Sequence, residues 1–367
     1  MNERKVNGFS LSRMFITRNL VVFGLAHTLV DAACAAVLFA GSKSLSLKTD
    51  YFVTIIIVYN LLAFGLQPII GILADLMDVP AYSASLGCIL TATSLFLFKI
   101  PLAATITAGV GNAAFHVGGG IISLRMSNKK AAVPGIFVAP GAIGLAVGTL
   151  YGKTRDFTPW VFIPLFAIAV IAILVVKCPS ASESKLIETK YKRSFSTILI
   201  LLLISVAIRS LIGLTLDFPW KSTTWLIIVL SAAVAFGKGI GGFLSDRFGW
   251  TRVTISGLLI SVPLIELGWD YPLIAIAGVI LFNMTMPVTL TAVANMFPGL
   301  PGFAFGLTTL ALVIGALPTF TGVRSFLNDK AVIFSLILIM AIILFTALFL
   351  YAGGSFLRRR MNLNKAE

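Results

Sequence analysis

The sequence predicts an all-α membrane protein with twelve transmembrane helices, arranged as two pseudo-symmetric six-helix bundles. Three observations support this fold class. The 367 residues are 58% hydrophobic and 11% charged, with a mean hydropathy of +1.00, whereas soluble domains carry roughly 25% charged residues. Apolar runs fill nearly the whole chain, and matching residues recur in its two halves at one constant offset.

The apolar runs are long enough to cross a bilayer as helices, because about 20 residues span the hydrocarbon core. Together with the loop residues between them they predict twelve spans: 20–40, 51–74, 80–99, 101–125, 131–151, 159–176, 197–217, 223–245, 251–268, 271–294, 301–323 and 331–354. The polar stretch 177–196 separates two groups of six. The predicted organisation is an N-terminal bundle at 1–176, a cytoplasmic connector at 177–196, a C-terminal bundle at 197–354 and a cytoplasmic tail at 355–367.

The first apolar run follows basic residues, as in a secretory signal peptide. The run at 20–40 is longer than the apolar region of such a peptide, and it contains His27 and Asp31. We therefore interpret it as a retained helix, with cleavage near the stretch LFAGS (38–42) as the alternative. The three cysteines are too few for a disulfide framework and are interpreted as free thiols.

The net charge of +14 does not indicate nucleic-acid binding, because the basic residues lie in short segments between apolar spans. If both termini are cytoplasmic, the cytoplasmic segments hold 18 of the 28 Lys and Arg residues and the outer loops hold 8. Cytoplasmic loops of membrane proteins carry such an excess. The distribution predicts a multi-pass protein of the cell membrane with the N- and C-termini in the cytoplasm.

An internal repeat relates the two halves at an offset of 171 residues. The stretch GILAD (71–75) aligns with GFLSD (242–246). The same offset aligns further pairs in equivalent helices: Asn112 with Asn283, Gly135 with Gly306, and Gly144 with Gly315. Transporters are commonly built from such repeats, with the substrate held between them near the bilayer midplane.

The stretch GKGIGGFLSDRFGWTR (237–252) resembles the signature of the major facilitator superfamily at the loop between helices 8 and 9. The matching positions are Gly241, Gly242, Asp246, Arg247, Gly249 and Arg252. The N-terminal copy, GILADLMDVPAYS (71–83), keeps Gly71 and Asp75 but lacks the arginines. The resemblance covers almost the whole chain and implies a major facilitator fold, in which two bundles rock about a central cavity.

Shorter patches resemble the fosmidomycin-resistance-like branch of that superfamily. They are His27 with Asp31 in the first helix, the run from Gly111 to His116 in the fourth, the glycine ladder PGAIGLAVG (140–148) in the fifth, and Arg209 in the seventh. The branch usually continues the fourth-helix histidine with Pro-Glu-Ala, where this chain has VGG (117–119). A carboxylate of the branch is therefore missing here.

Four polar residues of the first and fourth helices are predicted to face one wet, polar cavity, because the superfamily resemblance implies that both helices line the central cavity. A rise of about 1.5 Å per residue places His27 level with His116, and Asp31 level with Asn112. Each helix carries its pair at an i, i+4 spacing, so each pair lies on one face. Asp31, His27 and His116 are the predicted proton-coupling residues, because a carboxylate at this depth costs about 3 kcal/mol or more without a partner, water or a proton. A hydrogen bond that only holds helix packing is the alternative.

The predicted substrate-binding residues are Arg209, Asn112, Asn283 and Gln67. A guanidinium is always charged and near the midplane would hold an anionic group or pair with Asp31; a fixed internal ion pair is the alternative. Asn112 and Asn283 are repeat mates at mid-depth and would line the site symmetrically or bridge helices. Gln67 is the repeat mate of Lys238.

The predicted gate residues are Asp75, Lys238, Asp246, Arg247 and Arg252. The resemblance implies that Asp and Arg residues form a charge cluster at the cytoplasmic ends of the bundles. Lys238 lies about 12 Å from the cytoplasmic end of the eighth helix, a depth from which a lysine reaches the interface.

These residues predict a secondary active transporter rather than an enzyme. The leading interpretation is proton-coupled efflux, or antiport, of a small organic compound by alternating access; proton-coupled uptake of a small anionic solute is the alternative within the same fold. A membrane-embedded enzyme and a non-transporting sensor are less favoured. The predicted partners are protons, a small-molecule substrate and the lipid bilayer, and the predicted state is a monomer. No cofactor is expected, because no phosphate-binding loop is present, and no metal, because nothing completes a site around the two histidines and Asp31.

Overall fold

The computed structural model describes residues 13–154, 157–181, 194–321, 324–327 and 329–363. Most of the predicted connector, the first twelve residues and the end of the predicted tail lie outside this part of the chain. The exact bounds of the two bundles therefore stay a prediction.

The first half of the chain forms six membrane crossings from eight helices. These are α1 (Arg13–Ser44), α2 (Thr49–Gly65), α3 (Gln67–Met77), α4 (Pro80–Phe96), α5 (Pro101–Met126), α6 (Ala132–Val138), α7 (Pro140–Gly152) and α8 (Phe162–Val175). Two crossings are interrupted, between α2 and α3 and between α6 and α7. A proline follows each interruption, Pro68 and Pro140, and proline has no N–H for the preceding turn.

The second half repeats this arrangement. Its helices are α9 (Phe195–Thr215), α10 (Thr224–Phe248), α11 (Trp250–Leu267), α12 (Pro272–Asn283), α13 (Thr285–Met296), α14 (Pro301–Ala316), the short α15 (Arg324–Leu327) and α16 (Lys330–Leu363). Helices α12 and α13 form one crossing that is interrupted at Met284, just before Pro287. The sequence analysis predicted three uninterrupted spans where the structure has these broken ones.

Nine of the described helical segments are long and apolar enough to cross a membrane by length and composition alone. The other crossings are α4, α5 and α8. Helix α5 has 26 residues, but its run of glycines with Asn112 and His116 makes it less apolar. Helices α4 and α8 have 17 and 14 residues, and a turn at Pro159–Val161 extends α8. The all-helical fold class of twelve crossings is confirmed.

The outer surface of the helices is apolar. Large hydrophobic side chains stand out from several crossings, among them Leu25, Leu73, Ile168, Leu273 and Phe349, each more than half exposed. A soluble monomer rarely exposes a contiguous apolar surface of this kind. We interpret this surface as the one that contacts lipid acyl chains.

Helix α7 packs unusually closely against α1. A methyl group added to Gly144 or Gly148 would overlap the carbonyl oxygens of Thr28 and Ala32, respectively, and Gly152 meets Ala36 in the same way. Small residues allow membrane helices to approach at backbone distance. This close packing of the ladder glycines holds α7 beside the polar residues of α1.

One side of the molecule, here called the basic face, holds the start of α1 and the connections from α5 to α6 and from α10 to α11. Arg18, Arg125, Lys129 and Arg247 lie on this side. The hydrophobic core of the first half includes Leu290 and Phe305 of the second. The two halves are therefore packed together at this face.

Candidate functional site

Four polar side chains of α1 and α5 meet inside the first half. His27 and Asp31 lie one turn apart on α1, and Asn112 and His116 lie one turn apart on α5. His27, Asn112 and His116 are all buried. The helices run in opposite directions, so the two pairs face each other at the same two levels. The matched levels agree with the depths expected from the helical rise, but the two histidines are buried in direct contact, whereas the sequence analysis expected them to face a wet cavity.

Asp31 is the centre of the cluster. Its Oδ2 lies 3.3 Å from His27 Nε2 and its Oδ1 lies 3.6 Å from His116 Nε2. Asn112 Nδ2 donates a hydrogen bond of 3.0 Å to Oδ1. The two imidazole rings stand edge to face, with their centroids 4.5 Å apart. We call Asp31, His27 and His116 the proton triad.

The other nitrogen of each imidazole is held by the backbone. His27 Nδ1 lies 2.8 Å from the carbonyl oxygen of Phe137, and His116 Nδ1 lies 3.0 Å from the carbonyl oxygen of Asn112. A carbonyl oxygen only accepts hydrogen bonds, so the network assigns a proton to both Nδ1 atoms. In the neutral rings, both Nε2 atoms therefore carry a lone pair.

This arrangement has a direct chemical consequence. If Asp31 is ionised and both rings are neutral, two lone pairs point at one carboxylate. Each proton that enters then lies between an Asp31 oxygen and an Nε2 atom, where both neighbours accept it. The triad can thus hold a variable number of protons in a fixed geometry.

The triad is also the only group of three potential metal-ligating side chains among the described residues, with its ligand atoms within 4.8 Å of one another. A tetrahedral zinc site needs a fourth ligand from protein, water or substrate, and no described His, Cys, Asp or Glu joins the group. The expectation of no metal stays a prediction.

Three neighbours of the triad were missed by the sequence analysis. A methyl group at Gly141, the second residue of α7, would overlap Asp31 Oδ2 and His27 Nε2. Cys34 Sγ lies 3.8 Å from Asn112 Nδ2, and Tyr59 of α2 lies within interaction range of Cys34. Gly141 belongs to the glycine ladder, but nothing in the sequence indicated that it packs on the triad itself.

Two basic side chains of the second half are wholly or partly buried. Arg209 of α9 is buried, and its Nε has no hydrogen-bond partner. Lys238 of α10 is half-buried and lies within electrostatic range of Arg209, Asp31 and His116. The sequence analysis allowed an Arg209–Asp31 ion pair, but the side chains next to Asp31 in the structure are the two histidines and Asn112.

The remaining predicted substrate residues bond to backbone carbonyl groups of their own membrane crossings. Asn283 Nδ2 donates to the carbonyl oxygen of Val279, and Gln67 Nε2 donates to that of Ala63. Gln67 is fully buried under α14, because a methyl group at Gly306 would overlap the backbone of Gln67 and Pro68. Gln67 is thus placed in the contact between the two halves rather than beside Asn112.

At the basic face, two carboxylates each bind a helix start in the opposite half. Asp75 of α3 accepts hydrogen bonds of 3.0 Å from the N–H groups of Gly302 and Phe303, at the start of α14. Asp246 of α10 accepts hydrogen bonds of 2.9 Å from the N–H groups of Ala131 and Ala132, at the start of α6. We call these the two clasps. The offset of 171 residues relates every member of one to a member of the other.

The arginines of the signature do not join Asp246. Arg247 is exposed and lies over the ring of Phe248, and Arg252 is exposed. The third partner of Asp246 is Trp250 Nε1, at 3.0 Å. The predicted Asp–Arg charge cluster is therefore absent at this position, because free backbone N–H groups and an indole N–H satisfy the carboxylate.

Comparison with known proteins identifies the fold. No protein-family model matches the chain, and no curated protein is significantly similar to it. Among solved structures, the human organic anion transporter MFSD10 (TETRAN) is 14% identical with a TM-score of 0.63, covering 92% of this chain and 98% of its own. FucP in its outward conformation, a transporter of the Major Facilitator Superfamily, is 13% identical with a TM-score of 0.62, covering 92% and 99%.

A bacterial homologue of the iron transporter ferroportin, in an outward-facing state, is 14% identical with a TM-score of 0.58, covering 93% of this chain and 99% of its own. The E. coli form of FucP is a fucose:proton symporter. At these identities the similarity shows the fold alone. This chain has the major facilitator fold that the signature at 237–252 implied, and the proteins that share it here are all transporters.

Proposed function

We propose that this protein is a secondary active transporter that exports a small organic compound in exchange for protons, by alternating access. The observation that carries the proposal is the proton triad, in which two lone-pair nitrogens converge on one buried carboxylate. Such a group binds and releases protons without moving far. The fold supports transport, because proteins of this architecture in the comparison move solutes or ions across membranes.

The triad is mechanically connected to the gate at the basic face. His27 bonds to the carbonyl group of Phe137, in the last turn of α6. The other end of α6 is held by Asp246 of the second half. A change of proton occupancy that moves the His27 ring therefore acts on a seven-residue helix whose start is the second clasp. This is a physical route from proton binding to opening.

The proposed orientation places the basic face and both termini in the cytoplasm, since cytoplasmic segments carry the excess of Lys and Arg. Both clasps lie at this face, so the structure corresponds to a state closed to the cytoplasm. The protein would function as a monomer in the cell membrane. The α7 glycine ladder and the patches similar to the fosmidomycin-resistance-like branch favour export.

Proton-coupled uptake of a small anionic solute is the second candidate. Arg209 favours it, as a buried cation without a protein partner in the described part of the chain. Uptake and export share the triad and differ in the direction of the coupled fluxes.

The test is proton movement in everted membrane vesicles with a fluorescent ΔpH reporter, during addition of a panel that includes phosphonates and amphiphilic drugs. Export predicts compound-triggered proton release from the acidified lumen. Asp31→Asn should abolish the response while protein remains in the membrane, and Asp270→Asn, an exposed carboxylate far along the chain, should keep it. Uptake instead predicts alkalinisation outside intact cells on addition of substrate.

Two results would sink the proposal. One is a compound-triggered proton release by the Asp31→Asn variant that equals the release by wild-type protein. The other is the absence of any compound-triggered proton movement in both vesicles and cells, with folded protein confirmed by its elution as a single species in detergent. His27→Gln and His116→Gln provide independent variants in case Asp31→Asn does not fold.

A further inference from the structure

The proton triad has the donor set of a transition-metal site. His27 Nε2, His116 Nε2 and a carboxylate oxygen of Asp31 lie within 4.8 Å of one another. Two imidazole nitrogens and one carboxylate hold zinc or iron(II) in proteins whose remaining coordination positions stay open. The sequence analysis expected no metal because nothing completes a set of four protein ligands. An open site of this kind needs only three.

The spacing of the donor atoms fits a metal ion better than direct hydrogen bonds. His27 Nε2 lies 3.3 Å from Asp31 Oδ2, and His116 Nε2 lies 3.6 Å from Oδ1. Charge-assisted N–H···O bonds are shorter, at about 2.7–2.9 Å. A zinc ion holds nitrogen and oxygen ligands at about 2.0–2.2 Å, so neighbouring ligand atoms of a tetrahedral site are about 3.3–3.6 Å apart. The donor atoms already have the separations that a bound ion requires.

Outer contacts hold both rings and the carboxylate in this orientation. The two Nδ1 atoms lie 2.8 Å and 3.0 Å from the carbonyl oxygens of Phe137 and Asn112, respectively. A metal-binding histidine almost always donates its second ring N–H to such a partner, which fixes the tautomer and the ring orientation. Asn112 Nδ2 also donates a hydrogen bond of 3.0 Å to Asp31. All three ligands are therefore oriented before an ion binds.

The triad is enclosed but has an opening at the carboxylate. The Asp31 side chain is 18% exposed, whereas those of His27 and His116 are 4% and 8% exposed. Gly141 lies against the cluster, and a methyl group there would overlap Asp31 Oδ2 and His27 Nε2. Because Gly141 has no side chain, the space beside these two donor atoms stays open.

We propose that His27, His116 and Asp31 bind one divalent transition-metal ion of the zinc and cobalt type, with the remaining coordination positions open to water. The two imidazoles select such ions over Mg²⁺ and Ca²⁺, which prefer oxygen ligands. The proposal goes beyond the proposed function, because the site is defined by these three side chains whichever compound is transported.

A metal ion and protons exclude each other at the triad. The coordination bonds would use the Nε2 lone pairs and the Asp31 oxygens, which are the atoms that receive protons in the proposed function. A triad that holds a metal ion therefore cannot take up protons in the same geometry. The bound ion should stop proton-coupled exchange until it dissociates.

The test measures Co²⁺ binding by the full-length protein, purified without a histidine tag, in nanodiscs of phosphatidylcholine. Equilibrium dialysis gives the stoichiometry and the affinity, and visible absorption reports the coordination of the bound ion. We expect one Co²⁺ per protein, displaced by Zn²⁺ but not by Mg²⁺ or Ca²⁺. His27→Gln and His116→Gln should each weaken binding by roughly tenfold or more, a loss that even outer contacts of metal sites produce. Asp270→Asn, an exposed carboxylate, should bind as wild type does.

A second variant distinguishes a ligand from a residue that only supports the fold. A cysteine thiolate also binds such ions, so His116→Cys should keep Co²⁺ binding. It should also gain a sulfur-to-cobalt charge-transfer band that wild-type protein lacks. A structural role of His116 would not produce this band.

Four results would overturn the proposal. They are failure of wild-type protein to bind Co²⁺, displacement by Mg²⁺ or Ca²⁺ as effective as by Zn²⁺, the absence of the charge-transfer band in His116→Cys, and wild-type affinity in the double variant His27→Gln/His116→Gln. The last result would assign the bound ion to other groups of the protein. Elution as a single species establishes that each variant is folded.

The proposed function is tested separately, because binding in nanodiscs needs no gradient. In everted vesicles, Zn²⁺ should suppress the proton release triggered by a compound that does not chelate it, over the concentration range in which it binds. Metal binding without any compound-triggered proton release would retain the site and reject coupled transport. Proton release without metal binding would retain transport and reject the site. Release that saturating Zn²⁺ leaves unchanged would refute the mutual exclusion.

Discussion

In the proposed closed state, the two clasps join the halves at the basic face, and their contribution can be worked out from the structure. Asp75 and Asp246 each accept two backbone N–H groups at 2.9–3.0 Å. A hydrogen bond to a charged group contributes about 1.5–3 kcal/mol. Substitution by Asn keeps one acceptor oxygen and removes the charge, so each substitution should lose about one such bond. The double variant Asp75→Asn/Asp246→Asn should then lose about 3–6 kcal/mol, since the two sites share no partners.

This loss acts on the equilibrium between states closed and open at the basic face. A change of 1.4 kcal/mol alters a population ratio tenfold, so a single substitution should favour the open state by about ten- to a hundredfold. The double variant should favour it by more than a hundredfold. A protein that is almost entirely closed would become measurably or predominantly open.

Spin-label distances across the basic face provide the assay. Met77 at the end of α3 and Phe248 at the end of α10 are both exposed and lie in opposite halves. Labels at these positions, in a Cys178→Ser background, should report a short distance in wild type and a second, longer one in the double variant. Asp270→Asn should reproduce wild type. An unchanged distance distribution in the double variant would refute the assignment of the clasps to the closed state.

Two further outcomes follow from individual residues. Gly141→Ala should abolish proton-coupled flux, because the added methyl group would overlap Asp31 and His27. Gly213→Ala is the control and should transport normally, because nothing lies within 4 Å of the added carbon. Equal flux by both variants would show that α7 does not press on the triad. Burial raises the pKa of the Cys178 thiol to about 11, against the lowering effect of Arg125 and Arg18. Only the thiolate reacts with maleimide. Labelling of Cys178 at pH 7.5 should therefore be about a hundredfold slower than labelling of an exposed thiol, and its rate should increase between pH 7.5 and pH 9. Fast labelling of the native protein at pH 7.5 would contradict this prediction.

The meeting of α1 and α5 was predictable because depth is a property of sequence position in a membrane helix. The i, i+4 spacings of His27 with Asp31 and of Asn112 with His116 fix one face each, and the constant rise fixes the levels. The geometry found, with Asn112 bonded to Asp31 and the two rings adjacent, needed only that the two helices be neighbours. The superfamily resemblance implied only that both helices line the central cavity.

Contacts made by the backbone were not predictable in the same way. The carbonyl group of Phe137 orients His27, but every residue has a carbonyl group, and only the interrupted crossing at Pro140 places this one at the triad. Asp246 was expected to meet arginine, yet it binds N–H groups of Ala131 and Ala132. The sequence shows which side chains are charged, but it does not show which helix starts lie close enough to bind them.

The clasps have the form of an isologous interface within a single chain. In a two-fold symmetric dimer, if residue i of one subunit contacts residue j of the other, then j of the first contacts i of the second. Asp75 meets Gly302 and Asp246 meets Ala131 in this reciprocal way. Each half therefore contributes one carboxylate and one helix start, and each of these binds the corresponding group of the other half. Two copies of such a half could form the same hydrogen bonds with each other at this face, as a symmetric homodimer. A connector that joined the two copies into one chain would then keep the interface of that homodimer.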